Sequence, residues 1–464
     1  MSRRWIAPAV ALVAVSALAV AVRPSSRLEA AEVERPNIVF ILTDDQRWDT
    51  IRGIMPVVES QILGRGLEFR NAFATNPLCC PSRASILTGN YAHTHGVWEN
   101  FNGPNGGFAA FDDSSTIATW LDDGGYHTGL IGKYMNGYQV SGGTYIPPGW
   151  DEWYTLMDGD YYRFTVTDNG VQKYIPAQYS TDTFAFEAKT FIQHAPVDQP
   201  LFLMFNPRAP HCPYTPATRH DEAFADMAPY RSPSWQERDV RDKPAWLQKI
   251  EPAGAPRVKQ YDREQIDSLE SLLAVDEAVA SILDALEQTG RLENTLIIYA
   301  SDNGYEWGEH RLWGKNIPYD ASLRLPLIMR WDAGILPGTS TSTVVANIDL
   351  AATLAEIAGV TPPTPVDGRS LTRFFADPGA AFGRKGILIE HAQGGKLPAY
   401  CGYRTEGELF VHYASGDEEY YRYSKDPYEL QNRASMPSEQ FDVAKLRSIA
   451  RSRCSPMPPG MTWG

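Results

Sequence analysis

Four short apolar runs, each followed within two residues by charged or amide residues, constrain this chain more than any other feature. Asn37–Thr43 (NIVFILT) has the length and β-branched content of a strand buried on both faces. Residues 128–131, 201–205 and 295–300 read the same way. Between the last two, Ile266, Leu269, Leu272, Leu273, Val279, Ile282, Leu283 and Leu286 recur at helical spacing over residues 262–289, with Gly290 as a stop. A second amphipathic helix is expected over Asp349–Ala358, closed by Gly359. This alternation predicts an α/β fold: a large mixed, mostly parallel sheet sandwiched by helices. After residue 385 the texture changes to short strands with alternating aromatics, at 386–390, 400–404, 408–413 and 420–423. These predict a small C-terminal antiparallel sheet with a helix. The Trp/Pro/Gly-rich stretch 142–160 and the polar stretch 214–258 are expected as long loops over one face.

Three regions follow: a secretory signal over 1–31, a catalytic domain over 36–378 and a small-sheet subdomain over 379–464. The signal rests on Arg3 and Arg4 before an apolar run from Trp5 to Val22 with small residues near its end. Ser2-Arg3-Arg4-Trp5 loosely resembles a twin-arginine signal, and an uncleaved membrane anchor is the alternative. After cleavage no membrane span is expected, and the location is secreted or cell envelope. The formal charge of −14 argues against a nucleic-acid partner, yet leaves room for an anionic substrate in a locally positive pocket. Five cysteines make an odd count for an oxidising compartment. If another chemistry consumes one of them, Cys401 and Cys454 are free to bridge the C-terminal region, with the connectivity left open.

In a parallel sheet, residues that follow strands gather at the carboxyl edge, where α/β enzymes bind ligands. Asp44 and Asp45 follow the first strand, Lys133 the second, Asn206 and His211 the third, Asp302 and Asn303 the fourth. Singly, each has a plain structural reading: a helix cap, a solvated lysine or a hydrogen-bonded histidine. Helix caps alone do not explain four segments delivering such residues to one rim. Three carboxylates and an amide form a hard, oxygen-only donor set that suits calcium, with magnesium as the alternative. Arg83, Lys133 and Lys315 supply positive charge for an anionic ester.

The segment Leu78-Cys79-Cys80-Pro81-Ser82-Arg83-Ala84-Ser85-Ile86-Leu87-Thr88-Gly89 carries the most chemistry. Pro81 and Ser82 suit the opening of a helix that ends at Gly89. Cys79 then lies at its positive end, where developing negative charge is favoured, with Arg83 one turn in. Here the sequence resembles the sulfatase family, whose hallmark is Cys-x-Pro-Ser-Arg. The register identifies Cys79, not Cys80, as the cysteine oxidised to formylglycine (3-oxoalanine). Residues 37–45, Gly132-Lys133, Ala209-Pro210-His211, Ser301-Asp302-Asn303-Gly304, Gly308-Glu309-His310, Gly314-Lys315 and Asp426-Pro427 with Glu429 and Asn432 resemble further family motifs. Gly132-Lys133-Tyr134-Met135-Asn136, Tyr145-Ile146-Pro147-Pro148-Gly149-Trp150 and Asp242-Lys243-Pro244-Ala245-Trp246-Leu247 look closest to N-acetylglucosamine-6-sulfatases and extracellular heparan 6-O-sulfatases.

The resemblance implies an alkaline-phosphatase-like fold and hydrolysis of sulfate esters of 6-O-sulfated glucosamine, another sulfated carbohydrate or an aryl sulfate. It implies a metal held by Asp44, Asp45, residue 79, Asp302 and Asn303, and a formylglycine-generating enzyme as a maturation partner. Catalytic roles fall to Cys79, Arg83, Lys133, His211 and Lys315, and substrate contacts to His95 and His310. One departure is Met135, where many members carry a histidine; His95 or His93 is the expected substitute. The competing readings are a formylglycine-dependent phosphate or phosphonate ester hydrolase of the same superfamily and a non-catalytic binder of sulfated glycans.

Overall fold

In the computed structural model the apolar runs become the middle of a ten-stranded sheet. The structure describes residues 35–464 together with Met1, Ser2 and Trp5, so the signal expected over 1–31 lies outside the described residues. Along the chain come β1 (Asn37–Thr43), β2 (Leu67–Phe73), β3 (His127–Gly132), β4 (Glu152–Gly159), β5 (Phe164–Asp168), β6 (Val171–Ile175), β7 (Leu201–Asn206) and β8 (Thr295–Ser301). A two-stranded ribbon, β9 (Glu306–Trp307) and β10 (Trp313–Gly314), precedes β11 (Leu327–Arg330) and β12 (Thr339–Ala346). The large sheet runs β12-β2-β11-β8-β1-β7-β3-β4-β5-β6. Its centre, β8-β1-β7-β3-β4, is parallel throughout.

Strand β1 shows why the sequence demands two covering layers. Alternate residues point to opposite faces, and Ile38, Phe40 and Leu42 enter one core while Val39 and Ile41 enter the other. The first core is closed by helices Cys79–Thr88, Ile117–Asp123 and Asp349–Ala358, through residues such as Ile86, Trp120 and Leu354. The second is closed by Ser180–His194 and Ala255–Gln288, through Phe184, Phe191, Val275, Val279 and Ile282.

A separate four-stranded antiparallel sheet, β13 (Gly386–His391), β14 (Tyr400–Thr405), β15 (Glu408–Tyr413) and β16 (Glu418–Arg422), carries the helix Gln440–Arg453. One face packs Phe410 and Tyr420 on Val443 and Leu446 of that helix; the other packs Ile387, Ile389 and Val411 with Phe73 and Val344 of the main body. Cys401 and Cys454 are joined, closing β14 to the end of the helix. Cys79, Cys80 and Cys212 are not disulfide-bonded, so the cysteine count by itself singles out none of the three.

Three expectations need correction. The stretch 142–160 is not all loop: it contains β4, whose Trp153 and Tyr154 are buried at the end of the parallel run. The hairpin β5–β6 was not foreseen, although its turn is Asn169-Gly170 with both residues at positive φ, a strong hairpin signal. The long helix starts at Ala255, inside the stretch expected as loop, because Pro256 suits a first turn whose N–H groups lack helical partners.

Candidate active site

Strands β1, β3, β7 and β8 run parallel, so all four open onto one edge. The turn after β1 puts Asp45 at φ 66, a left-handed geometry that aspartate tolerates better than most side chains. Asp45 N–H donates to Asp302 Oδ1 at 3.1 Å, and Asn303 Nδ2 donates to Asp45 Oδ1 at 2.7 Å. The ends of β1 and β8 are thereby locked together. Lys133 leaves β3 through Gly132, at φ 116, where an added Cβ would meet the carbonyl oxygen of Asn206 at 2.1 Å. That close approach admits only glycine.

The helix Cys79–Thr88 begins at Cys79 and is capped by Gly89 in the left-handed region. It crosses the same edge with its positive end toward the carboxylates. Cys79 Sγ lies 2.7 Å from Lys315 Nζ and 3.6 Å from Asp44 Oδ1. Cys80 turns away, its sulfur accepting the N–H of Asn136 at 3.1 Å. Arg83 Nε donates to Asp302 Oδ2 at 2.8 Å and Nη1 to the carbonyl of Lys133 at 2.9 Å. Lys133 Nζ meets Asp44 Oδ2 at 2.5 Å, and Lys315 Nζ donates to Asp45 Oδ1. His211 Nε2 stands 3.7 Å from Asp45 Oδ2. Nine of the sequence-predicted residues therefore meet in one cluster: Asp44, Asp45, Cys79, Arg83, Lys133, His211, Asp302, Asn303 and Lys315.

Burial shapes the electrostatics. It pushes Asp44 up, but the charges of Lys133, His211, Arg83 and Lys315 overcome it and hold that carboxyl well below the usual range. Asp302 goes the other way: burial, then the charge of Asp44, raise it to about 6 despite Arg83. Burial pushes the Cys79 thiol up to about 12, beyond what the neighbouring lysines can offset. A thiol so held is almost wholly protonated at neutral pH and therefore a weak nucleophile.

The donor chemistry fits a hard cation. Asp44, Asp45 and Asp302 each offer an oxygen, and these lie within 4.8 Å of one another. Asn303 spends its Nδ2 on Asp45 and the carbonyl of Gly304, while its buried Oδ1 has no hydrogen-bond partner. A buried acceptor left bare beside three carboxylates is what an oxygen-coordinated ion explains.

Two predicted substrate contacts are placed elsewhere. His310 is 1% exposed, with Nδ1 2.6 Å from Glu237 Oε2 and its ring against Tyr319, so it faces the interior. Burial lowers its pKa to about 3, and the charge of Lys243 adds to that shift. His95 accepts the N–H of Val97 on Nδ1 and lies 3.1 Å from Ser85 Oγ through Nε2. Both ring nitrogens are thus used within its own neighbourhood, and burial lowers it to about 3. His93 is bound to Glu390 at 2.8 Å. Met135 is a core residue, 4% exposed.

Sequence reasoning missed Asn347. It donates to Ser82 Oγ at 2.9 Å and accepts from Thr75 N–H, while Ser82 Oγ donates to the carbonyl of Asp302. The Cys79 helix is thereby fastened to two strands. No short-range pattern marks Asn347, because its partners lie far away in sequence.

Two family models match this arrangement: Sulfatase over residues 36–360, and the C-terminal model of N-sulphoglucosamine sulphohydrolase over 308–451. The chain belongs to the sulfatase family. It is 35% identical over 358 residues to an extracellular sulfatase SULF-1 homolog of Drosophila melanogaster, a match covering 74% of this chain and 31% of that protein. The chain thus spans about a third of that relative's length. It is 33% identical over 385 residues to human N-acetylglucosamine-6-sulfatase, covering 79% of this chain and 69% of the relative. A solved structure in complex with its substrate D-glucosamine-2-N,6-O-disulfate superposes with a TM-score of 0.81 at 25% identity, over 91% of this chain and 98% of the other. The sheet architecture is that of sulfatases and their alkaline-phosphatase-like relatives.

Proposed function

We propose that this protein hydrolyses sulfate esters, that residue 79 is converted from cysteine to formylglycine, and that the substrate is 6-O-sulfated glucosamine or a related sulfated carbohydrate. The observation that carries the reading is the position of Cys79 Sγ. It stands at a helix N-terminus between Lys315 and Asp44, in a pocket that keeps the thiol protonated. Such a site is poor for a cysteine nucleophile and good for an aldehyde hydrate, whose hydroxyls the same neighbours can bind.

In this reading one hydroxyl of the hydrate, ionised by loss of its proton to solvent, attacks sulfur and the S–O bond to the alcohol breaks, with His211 or Lys315 supplying the proton to the leaving oxygen. Loss of the proton from the second hydroxyl then restores the aldehyde C=O and expels sulfate. Arg83 fixes the helix that carries the hydrate, and Lys133, His211 and Lys315 bind sulfuryl oxygens as charge develops. Asp44, Asp45, Asp302, Asn303 and residue 79 would hold the divalent ion, calcium or magnesium. Once bound, it would polarise the sulfate group and lower the pKa of the hydrate.

Charge matching favours sulfate over phosphate. The carboxylates of Asp44, Asp45 and Asp302 offset the fixed charges of Arg83, Lys133 and Lys315. A divalent ion with an ionised hydrate leaves one net positive charge, which matches a sulfate monoester rather than a phosphate monoester dianion.

The catalytic region is taken as 36–378, with 379–464 shaping the approach of the carbohydrate. Export fits the Cys401–Cys454 disulfide and the extracellular relative. Among the described residues no helix is long and apolar enough to cross a membrane. The test compares N-acetylglucosamine-6-sulfate, an aryl sulfate and the corresponding phosphate esters, using chain co-expressed with a formylglycine-generating enzyme. Sulfate release that vanishes in Cys79→Ala is expected. Activity undiminished by that substitution, or phosphate esters hydrolysed faster than sulfates, overturns the reading.

A further inference from the structure

A second donor set shares the pocket, and it is chemically unlike the first. Cys79 Sγ, a ring nitrogen of His211 and an oxygen of Asp44 lie within 4.8 Å of one another. Asp45 belongs instead to the oxygen set with Asp44 and Asp302, so Asp44 is the one residue the two sets share. The calcium-type set is all oxygen, whereas this one offers sulfur, nitrogen and carboxylate, the combination that suits zinc.

His211 is built as a metal-binding histidine is built. Its Nδ1 lies 2.7 Å from the carbonyl of Cys212, which can only accept, so the neutral ring carries its proton there and Nε2 is the nitrogen available to a metal. That carbonyl also accepts Arg208 Nη2 at 2.9 Å, and the carbonyl of His211 accepts the hydroxyl of Tyr161 at 2.6 Å. The imidazole is therefore held from behind by groups that have no part in the carboxylate cluster.

We propose that the unconverted chain, with residue 79 still a thiol, is a zinc-binding form whose protein ligands are Cys79, His211 and Asp44, with water in the fourth position. Tetrahedral zinc, with Zn–S of about 2.3 Å and Zn–N or Zn–O of about 2.0 Å, places nitrogen and oxygen ligands about 3.3 Å apart and sulfur about 3.5 Å from either. The Cys79–Asp44 separation of 3.6 Å is already close to the sulfur–oxygen value. Binding forms a zinc–sulfur bond and releases the thiol proton to solvent, and Lys315 moves off the sulfur. Conversion of residue 79 to formylglycine removes the sulfur and leaves only the hard set, so the oxidation state of one residue decides which metal the pocket selects. The contrast between the two forms rests on the proposed function; the zinc site of the thiol form does not.

The experiment uses the full chain made without a formylglycine-generating enzyme, with the thiol at residue 79 verified by peptide mass, and cobalt(II) as the spectroscopic stand-in for zinc. One equivalent of cobalt is expected to give a thiolate-to-cobalt charge-transfer band and the visible bands of a tetrahedral site. Zinc, but not calcium, displaces it. Cys79→Ser abolishes the charge-transfer band and His211→Ala weakens binding at least about tenfold. Cys80→Ser and Cys212→Ser, which remove the other two thiols, leave the band intact. A band that survives Cys79→Ser overturns the proposal. Should that variant fail to fold, X-ray absorption of cobalt bound to the unsubstituted chain decides: a first shell without sulfur equally overturns it. If the converted chain proves inactive on sulfate esters while the thiol form gives the band, the proposed function falls and the zinc site stands.

Discussion

Replacing Arg83 by glutamine removes one half of an ion pair that is cut off from water. The Arg83 and Asp302 side chains are 2% and 0% exposed, with Nε and Oδ2 2.8 Å apart. Without the guanidinium, Asp302 keeps a buried carboxylate beside Asp44, whose charge already raises it to about 6 together with burial. Stranding a buried charge in this way costs about 3–5 kcal/mol, a large part of a stability of about 5–15 kcal/mol. With a urea slope of about 3 kcal/mol per molar, the unfolding midpoint falls by about 1–1.7 M. The assay is urea unfolding in the presence of chelator, so that no bound ion contributes.

The double variant Arg83→Gln/Asp302→Asn tests the cause. Removing the stranded carboxylate returns part of the loss, so the two substitutions couple by more than about 1 kcal/mol. If the two effects simply add to within about 0.5 kcal/mol, the buried-charge reasoning is wrong. The proposed sulfate release should be lost in both variants, because Arg83 also ties the Cys79 helix to the carbonyl of Lys133.

Asn303→Ala removes the bare Oδ1 acceptor and is expected to weaken calcium binding at least about tenfold by calorimetry; unchanged affinity would exclude Asn303 from the ion's ligands. His391 is 2% exposed, and burial lowers its pKa to about 4. Between about pH 4 and 6.5 the unfolded chain binds a proton that the folded chain does not, so stability rises with pH through that window and is lost on acidification, by at most about 1.4 kcal/mol per unit. Urea midpoints of His391→Gln should therefore vary less with pH over that range than those of the parent; parallel profiles would contradict the assignment. Cys401 and Cys454 close a loop of sequence separation 53, for which chain entropy gives about 4 kcal/mol. Cys454→Ser should lose that stability and become insensitive to reductant.

How far the sequence could be read depended on the range of the interactions. The strands whose residues are buried on both faces were legible as apolar runs, and the carboxylate part of the cluster was legible because Asp44 follows Thr43 and Asp302 follows Ser301 at the ends of such runs. Strand β4 was not legible, since its Trp153 and Tyr154 lie in a stretch rich in glycine and proline that resembles loop. Asn347 could not be singled out, because its value lies in reaching Ser82 across 265 residues. His310 follows a family-like Gly-Glu pair, yet its positive φ of 51 and its bond to Glu237 turn it inward. Local sequence carries no record of that rotation.

The central claim is the chemistry of residue 79, and the most direct measurement is the mass of the tryptic peptide 71–83 from active protein. Cleavage after Arg70 and Arg83 isolates Cys79 together with Cys80. The aldehyde or its hydrate is expected at residue 79, with an intact thiol at Cys80. An unmodified thiol at residue 79, in protein that still releases sulfate from its substrate, would contradict it.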